Sequence, residues 1–147
     1  GLADRLLLSA LPRIGSVHRI RGELEPDAAA QKYDQELREF FALGPGELPV
    51  FDMMLLGMGE DGHVASIFPD SRELHLSGKL VLSTEQKYHG HYRVTLGLDT
   101  INRSLCNLLM INNKIKMRAF SAPFDATGVE LPIGRLKNVQ LVVLEKQ

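Results

Sequence analysis

Alternating strand and helix signals predict an α/β domain with a mostly parallel sheet. Three observations carry that expectation. The segments PVFDMMLLG (49–57), CNLLMI (106–111) and VQLVVLE (139–145) are short apolar runs without alternation, as strands buried on both faces require. A long amphipathic segment precedes the first run. A glycine-rich turn follows that run directly, where α/β sheets bind ligands, beyond the carboxyl ends of their strands.

Taken in order, GLADRLLLSALP places Leu2, Leu6, Leu7 and Ala10 at helical spacing and stops at Pro12. VHRI (17–20) reads as a short strand. EPDAAAQKYDQELREFFALGPG sets Ala30, Tyr33, Leu37, Phe40 and Phe41 on one face, with acids early and Gly44 past the end, and predicts an amphipathic helix. KLVLST reads as a strand. YRVTLGL alternates Tyr92, Val94 and Leu96 against Arg93 and Thr95, which predicts a polar face bearing Arg93 and Thr95. Asp99 is placed to cap a short helix in DTINRSL, and NNKIKMRAF resembles a helix start. SAPFDATGVELPIG, rich in proline and glycine, reads as a surface loop. The order suits a Rossmann-like sheet with helices on both faces.

The chain of 147 residues is long enough for one domain, and 44% hydrophobic residues suffice for a core. Seventeen basic and eighteen acidic side chains leave a net charge of −1, which excludes the basic stripe of a nucleic-acid binder and the polycationic face of a membrane-surface protein. No apolar run approaches the roughly 20 residues of a bilayer span. The single Cys106 cannot form an internal disulfide and reads as a buried reduced thiol. A small-molecule partner, a cytoplasmic setting and a monomer or weak homo-oligomer are expected.

Within LLGMGEDGHVASIFP (55–69), Gly57, Gly59 and Gly62 spell the G-x-G-x-x-G of a dinucleotide turn. Glu60 and Asp61 oppose that reading, because each carboxylate at about 4 Å repels a phosphate charge by roughly 4 kcal/mol at an effective dielectric of 20. Pro69 also limits any helix starting near Gly62 to about two turns. A structural glycine turn, in which His63 is a loop histidine, is the plainer alternative. His89 and His91 show no zinc pattern, and His18 and His75 show no companions. No G-x-S-x-G elbow is present, which disfavours a serine acyl-enzyme.

GMGEDGHVASIFP closely resembles the motif G-M-G-x-D-G-H-x-A-S-L-F-P of 6-phosphogluconolactonases, with Ile67 in place of leucine. YDQEL, YRVTLGLDTIN and NNKIK extend the resemblance over most of the chain. It implies hydrolysis of a phosphorylated 1,5-lactone without metal or organic cofactor. In that chemistry His63 serves as general base toward water, Asp61 orients the imidazole or braces the turn, and backbone N–H groups of Gly57, Met58 and Gly59 are candidates to face the substrate. Arg93 and Lys116 stand at the family's phosphate-binding positions, with Lys114 a neighbouring competitor.

Two departures accompany it. Asn113 stands where the family has glycine, and it is expected to keep the turn by tolerating left-handed backbone. The family's upstream strand, G-G-S-T-P-like phosphate loop and Asp-x-Arg segment have no counterpart in the sequence. The resemblance thus implies that 1–147 is the larger, C-terminal part of one domain, weak in phosphate binding and inactive by itself. Rival functions are an amino-sugar phosphate isomerase or deaminase, whose turn G-x-D-G-H-I-A-F-N-E-P carries an Asn and Glu absent from ASIFP, and a non-catalytic sugar-phosphate-binding module.

Overall fold

The computed structural model describes residues 2–122, 124 and 128–144. In chain order these form α1 (Leu2–Leu6), α2 (Pro26–Phe40), β1 (Met54–Gly57), β2 (Val81–Ser83), β3 (Val94–Leu96), α3 (Leu98–Asn102), β4 (Asn107–Ile111), α4 (Lys114–Ser121) and β5 (Val139–Val143). The three apolar runs pair as a parallel sheet in the order β1, β4, β5. β2 and β3 make a separate antiparallel pair. Among the described residues no helix is long and apolar enough to cross a membrane.

One face of the parallel sheet, bearing Met54, Leu56, Leu109 and Ile111, is buried against Val64, Ile67, Leu74, Ile101 and Leu131. At the base of the sheet Asn107 is fully enclosed, and its Nδ2 donates to the carbonyls of Ile101 (3.0 Å) and Lys137 (2.8 Å). Those bonds tie together the segments that lead into β4 and β5 and give their carbonyls partners. A second cluster joins Ala30 and Leu37 of α2 to Leu80 and Val81. The helix α2 starts with proline at its first turn, where a missing N–H costs nothing, and Asp27 lies beside the positive end of the helix dipole.

Several expectations are corrected. β1 and β5 are not buried on both faces: they are the two edges of the described sheet, and Leu55 of β1 and Val143 of β5 are 60% and 52% exposed. Both faces of β3 are covered: Thr95, on the polar face, is 3% exposed and accepts a hydrogen bond from the Ser66 N–H, while Val94 and Leu96 are half-buried against the hydrophobic clusters. The segment 17–20 pairs with no strand among the described residues. Its His18, far from lacking companions, bonds Glu36 of α2 at 2.7 Å and packs on an exposed Phe40. Gly97 rather than Asp99 occupies the cap of α3, and the Asp99 carboxylate accepts from the Gly78 N–H instead. The leucines of α1 face solvent, and Cys106 is half-buried. Pro123, Asp125, Ala126 and Thr127 of the expected surface loop, and Glu145 of the last apolar run, lie outside the described residues.

Candidate active site

β1 and β4 run parallel with Gly57 opposite Met110, so the segments leaving their carboxyl ends emerge side by side. The first of these segments folds back on itself instead of coiling into a helix. Met58 bridges Val64, and the Gly59 N–H donates to the His63 carbonyl at 2.9 Å. Gly62 closes the turn with φ +80°, a conformation that suits glycine. A side chain there would also press on Leu131.

This turn holds His63 directly over Gly59. The His63 Nδ1 lies 2.7 Å from Asp61 Oδ1, and the same oxygen accepts the His63 backbone N–H at 3.2 Å. Because a carboxylate accepts and cannot donate, Nδ1 carries the proton and Nε2 is left as the basic nitrogen. The histidine side chain is 25% exposed, enough for a small molecule to reach it. A Cβ on Gly59 would overlap both His63 Nδ1 and Asp61 Oδ1, which explains the glycine there. At Gly57 a Cβ would meet nothing within 4 Å. Met58 turns its side chain into the core, at 5% exposure, so its contribution to a site is confined to its backbone.

The other face of the imidazole rests on Phe68, with ring centroids 4.4 Å apart. Phe68 in turn stacks on Tyr88 at 3.5 Å and 6°. Burial, and then the nearby Glu73 carboxylate, push the Tyr88 phenol above its ordinary range, so it stays neutral. Arg93, half-buried at the entry to β3, donates from Nη2 to the Tyr88 carbonyl at 3.2 Å. On the second segment, Lys114 and Lys116 occupy the first turn of α4, which has no acidic residue. Two cations at the positive end of a helix oppose the dipole and favour a bound anion. Among the described residues no hydrogen bond or ion pair joins Arg93 or Lys116 to His63 or to each other.

A cavity of about 500 Å³ opens beside Asp61, between the glycine turn and α4, and is lined by Glu60, Asp61, Ile115, Arg118 and Leu131. The larger cavity, about 930 Å³, lies between α2 and β2 and touches none of the candidate site residues, whereas the smaller one touches Asp61. Among the described residues no group of three or more His, Cys, Asp or Glu side chains is placed to hold a metal. His89 and His91 are exposed on a tight hairpin turn, and His75 is exposed at the end of a short 3-10 turn.

A family model described as glucosamine-6-phosphate isomerases/6-phosphogluconolactonase matches residues 1–144. The chain belongs to that family. A 6-phosphogluconolactonase of Synechocystis sp. is 35% identical over 100 residues, covering 68% of this chain and 41% of that protein. The human 6-phosphogluconolactonase is 39% identical over 104 residues, covering 69% and 40%. The solved structure of the Thermotoga maritima 6-phosphogluconolactonase superposes with a TM-score of 0.75 at 30% identity, over 97% of this chain and 62% of that one. The chain thus spans about two fifths of the length of the curated relatives it matches.

Within this glucosamine-6-phosphate isomerase/6-phosphogluconolactonase family chain, Asn113 does something other than tolerate a left-handed turn. Its backbone is extended (φ −154°, ψ 166°), and its side chain caps α4 by accepting the Lys116 N–H at 2.9 Å. The amide then donates to Glu60 Oε1 at 3.0 Å, tying α4 to the glycine turn across 53 residues of sequence. Asn113→Ala is expected to lower unfolding free energy by about 1 kcal/mol through loss of the cap, read as a shift in the denaturant midpoint. Arg118, one helical turn beyond Lys114, was not singled out from the sequence, although the spacing of KIKMR places the two cations together.

Proposed function

We propose that this chain carries the catalytic turn of a 6-phosphogluconolactonase, hydrolysing 6-phospho-D-glucono-1,5-lactone to 6-phospho-D-gluconate. The observation that carries this reading is His63, anchored through Nδ1 to Asp61 and leaving Nε2 free at the mouth of a parallel sheet. In the proposed step, Nε2 takes a proton from a water as its oxygen attacks the lactone carbonyl. The tetrahedral oxyanion then collapses, the ring C–O bond breaks, and the proton passes from Nε2 to the departing ring oxygen. Arg93, Lys116 and the start of α4 grip the phosphate.

Support comes from the relatives named as lactonases, and from ASIFP, which lacks the Asn and Glu of the isomerase turn. We further propose that the enzyme uses no metal or organic cofactor and acts in the cytoplasm on a small substrate, as a monomer or weak homo-oligomer within one α/β domain. The near-neutral charge and single cysteine favour that setting.

Offered both substrates, the full-length protein is expected to consume the lactone far faster than its spontaneous hydrolysis and to release no ammonia from glucosamine 6-phosphate. Ammonia release would transfer the assignment to the isomerase branch. Binding of the lactone without turnover would make the protein a binding module.

A further inference from the structure

Tyr88 sits at a crossing of two contacts that the reaction as proposed does not use. Its side chain backs the Phe68 ring, 3.5 Å away and nearly parallel, and Phe68 backs the His63 imidazole. Its carbonyl accepts from Arg93 Nη2. The residue is itself held tightly. Tyr88 and His91 exchange backbone hydrogen bonds at 2.9 and 3.3 Å across His89 (φ 53°) and Gly90 (φ 81°). Two successive positive φ values in a two-residue loop mark the hairpin turn whose twist matches its flanking strands, which leaves the chain little freedom at that point.

The imidazole is therefore fixed on two sides, by Asp61 at Nδ1 and by Phe68 on one face. Phe68 is buried, yet its outer face has Tyr88 as its stacking partner. Removing that flat ring frees Phe68 to shift away from the histidine, and releases from Phe68 the rigid hairpin turn whose Tyr88 carbonyl orients the guanidinium. We propose that Tyr88 is a positioning residue that couples the general base His63 to the phosphate-binding Arg93, holding the two at one fixed separation. This rests on the lactonase reading for its kinetic consequence, while the coupling of the two side chains stands apart from it.

The test uses Tyr88→Phe, Tyr88→Ala and Tyr88→Leu in the full-length protein. Tyr88→Phe keeps the flat ring and is expected to stay within about twofold of the parent in both kcat and KM. Tyr88→Ala is expected to lower kcat about tenfold, because small misplacements of reacting groups are costly. It should also raise KM and the inhibition constant for inorganic phosphate several-fold. Tyr88→Leu, which keeps apolar volume, should repeat this pattern if Tyr88→Ala folds poorly. A merely structural role would lower the melting temperature and leave kcat, KM and phosphate inhibition unchanged in the folded fraction, which overturns the proposal.

Nuclear magnetic resonance separates this result from failure of the lactonase reading. If the parent has no lactonase activity, that reading falls. The coupling still requires the His63 ring-proton and Arg93 Nε–H resonances to move together in Tyr88→Ala and Tyr88→Leu, and to hold in Tyr88→Phe. Resonances that stay in place in every variant, or move singly, overturn it.

Discussion

His63→Asn is expected to reduce lactone hydrolysis by the full-length protein by about 10²- to 10⁴-fold, the usual contribution of a positioned proton acceptor. Asparagine fills similar space and can still donate to Asp61 Oδ1, so the turn should survive; what it lacks is a nitrogen that can take a proton from water. The loss should therefore fall on kcat, with KM and inhibition by inorganic phosphate little changed, since Arg93 and Lys116 make no bond to the histidine. Steady-state assays of parent and variant decide the matter, with circular dichroism as the check on folding. Equal rates would remove His63 from the chemistry.

Gly59→Ala is expected to be nearly as damaging by a different route. The added methyl would occupy the space of His63 Nδ1 and Asp61 Oδ1, so the pair must separate or the turn must open. Overfilling a packed site costs about 1–3 kcal/mol of stability. Displacing the imidazole by about 1 Å is enough to lose roughly 100-fold in rate. Gly57→Ala is the matched comparison, because its methyl meets open space and should change stability by less than about 0.5 kcal/mol. Unfolding curves and rates on both variants separate the glycine that makes room for the histidine from the one facing solvent or substrate. A Gly59→Ala protein with parental stability and rate would contradict the packing described.

Local patterns made much of this architecture legible. The face of α2 built on Ala30 and Leu37, the apolar runs of β1, β4 and β5, and the glycines around His63 were all visible in the sequence, because burial periodicity and turn chemistry are local properties. What escaped was set by contacts between distant segments. Alternation puts Thr95 on a polar face but does not show that this face is covered, with the Ser66 N–H donating to its hydroxyl. Leu55 looked buried, but β1 is an edge of the described sheet. Residue type alone suggests backbone tolerance at Asn113, whereas its amide reaches Glu60. The stack of Phe68 and Tyr88 joins residues 20 apart in sequence with no periodicity to announce it.

The register that sets Gly57 opposite Met110 has a consequence for substrate size. Both the turn that bears His63 and the short link to α4 are anchored at the same height of the sheet and clasped together by Glu60 and Asn113. On the lactonase reading proposed above, the reach from the reacting carbon to Lys116 would thus be a ruler ruled by backbone hydrogen bonds. Fitting a sugar acid one carbon longer or shorter would require inserting or deleting a residue between Ile111 and Lys114, or slipping a strand. Exchanging the side chains that touch the sugar would leave the ruler's length as it is.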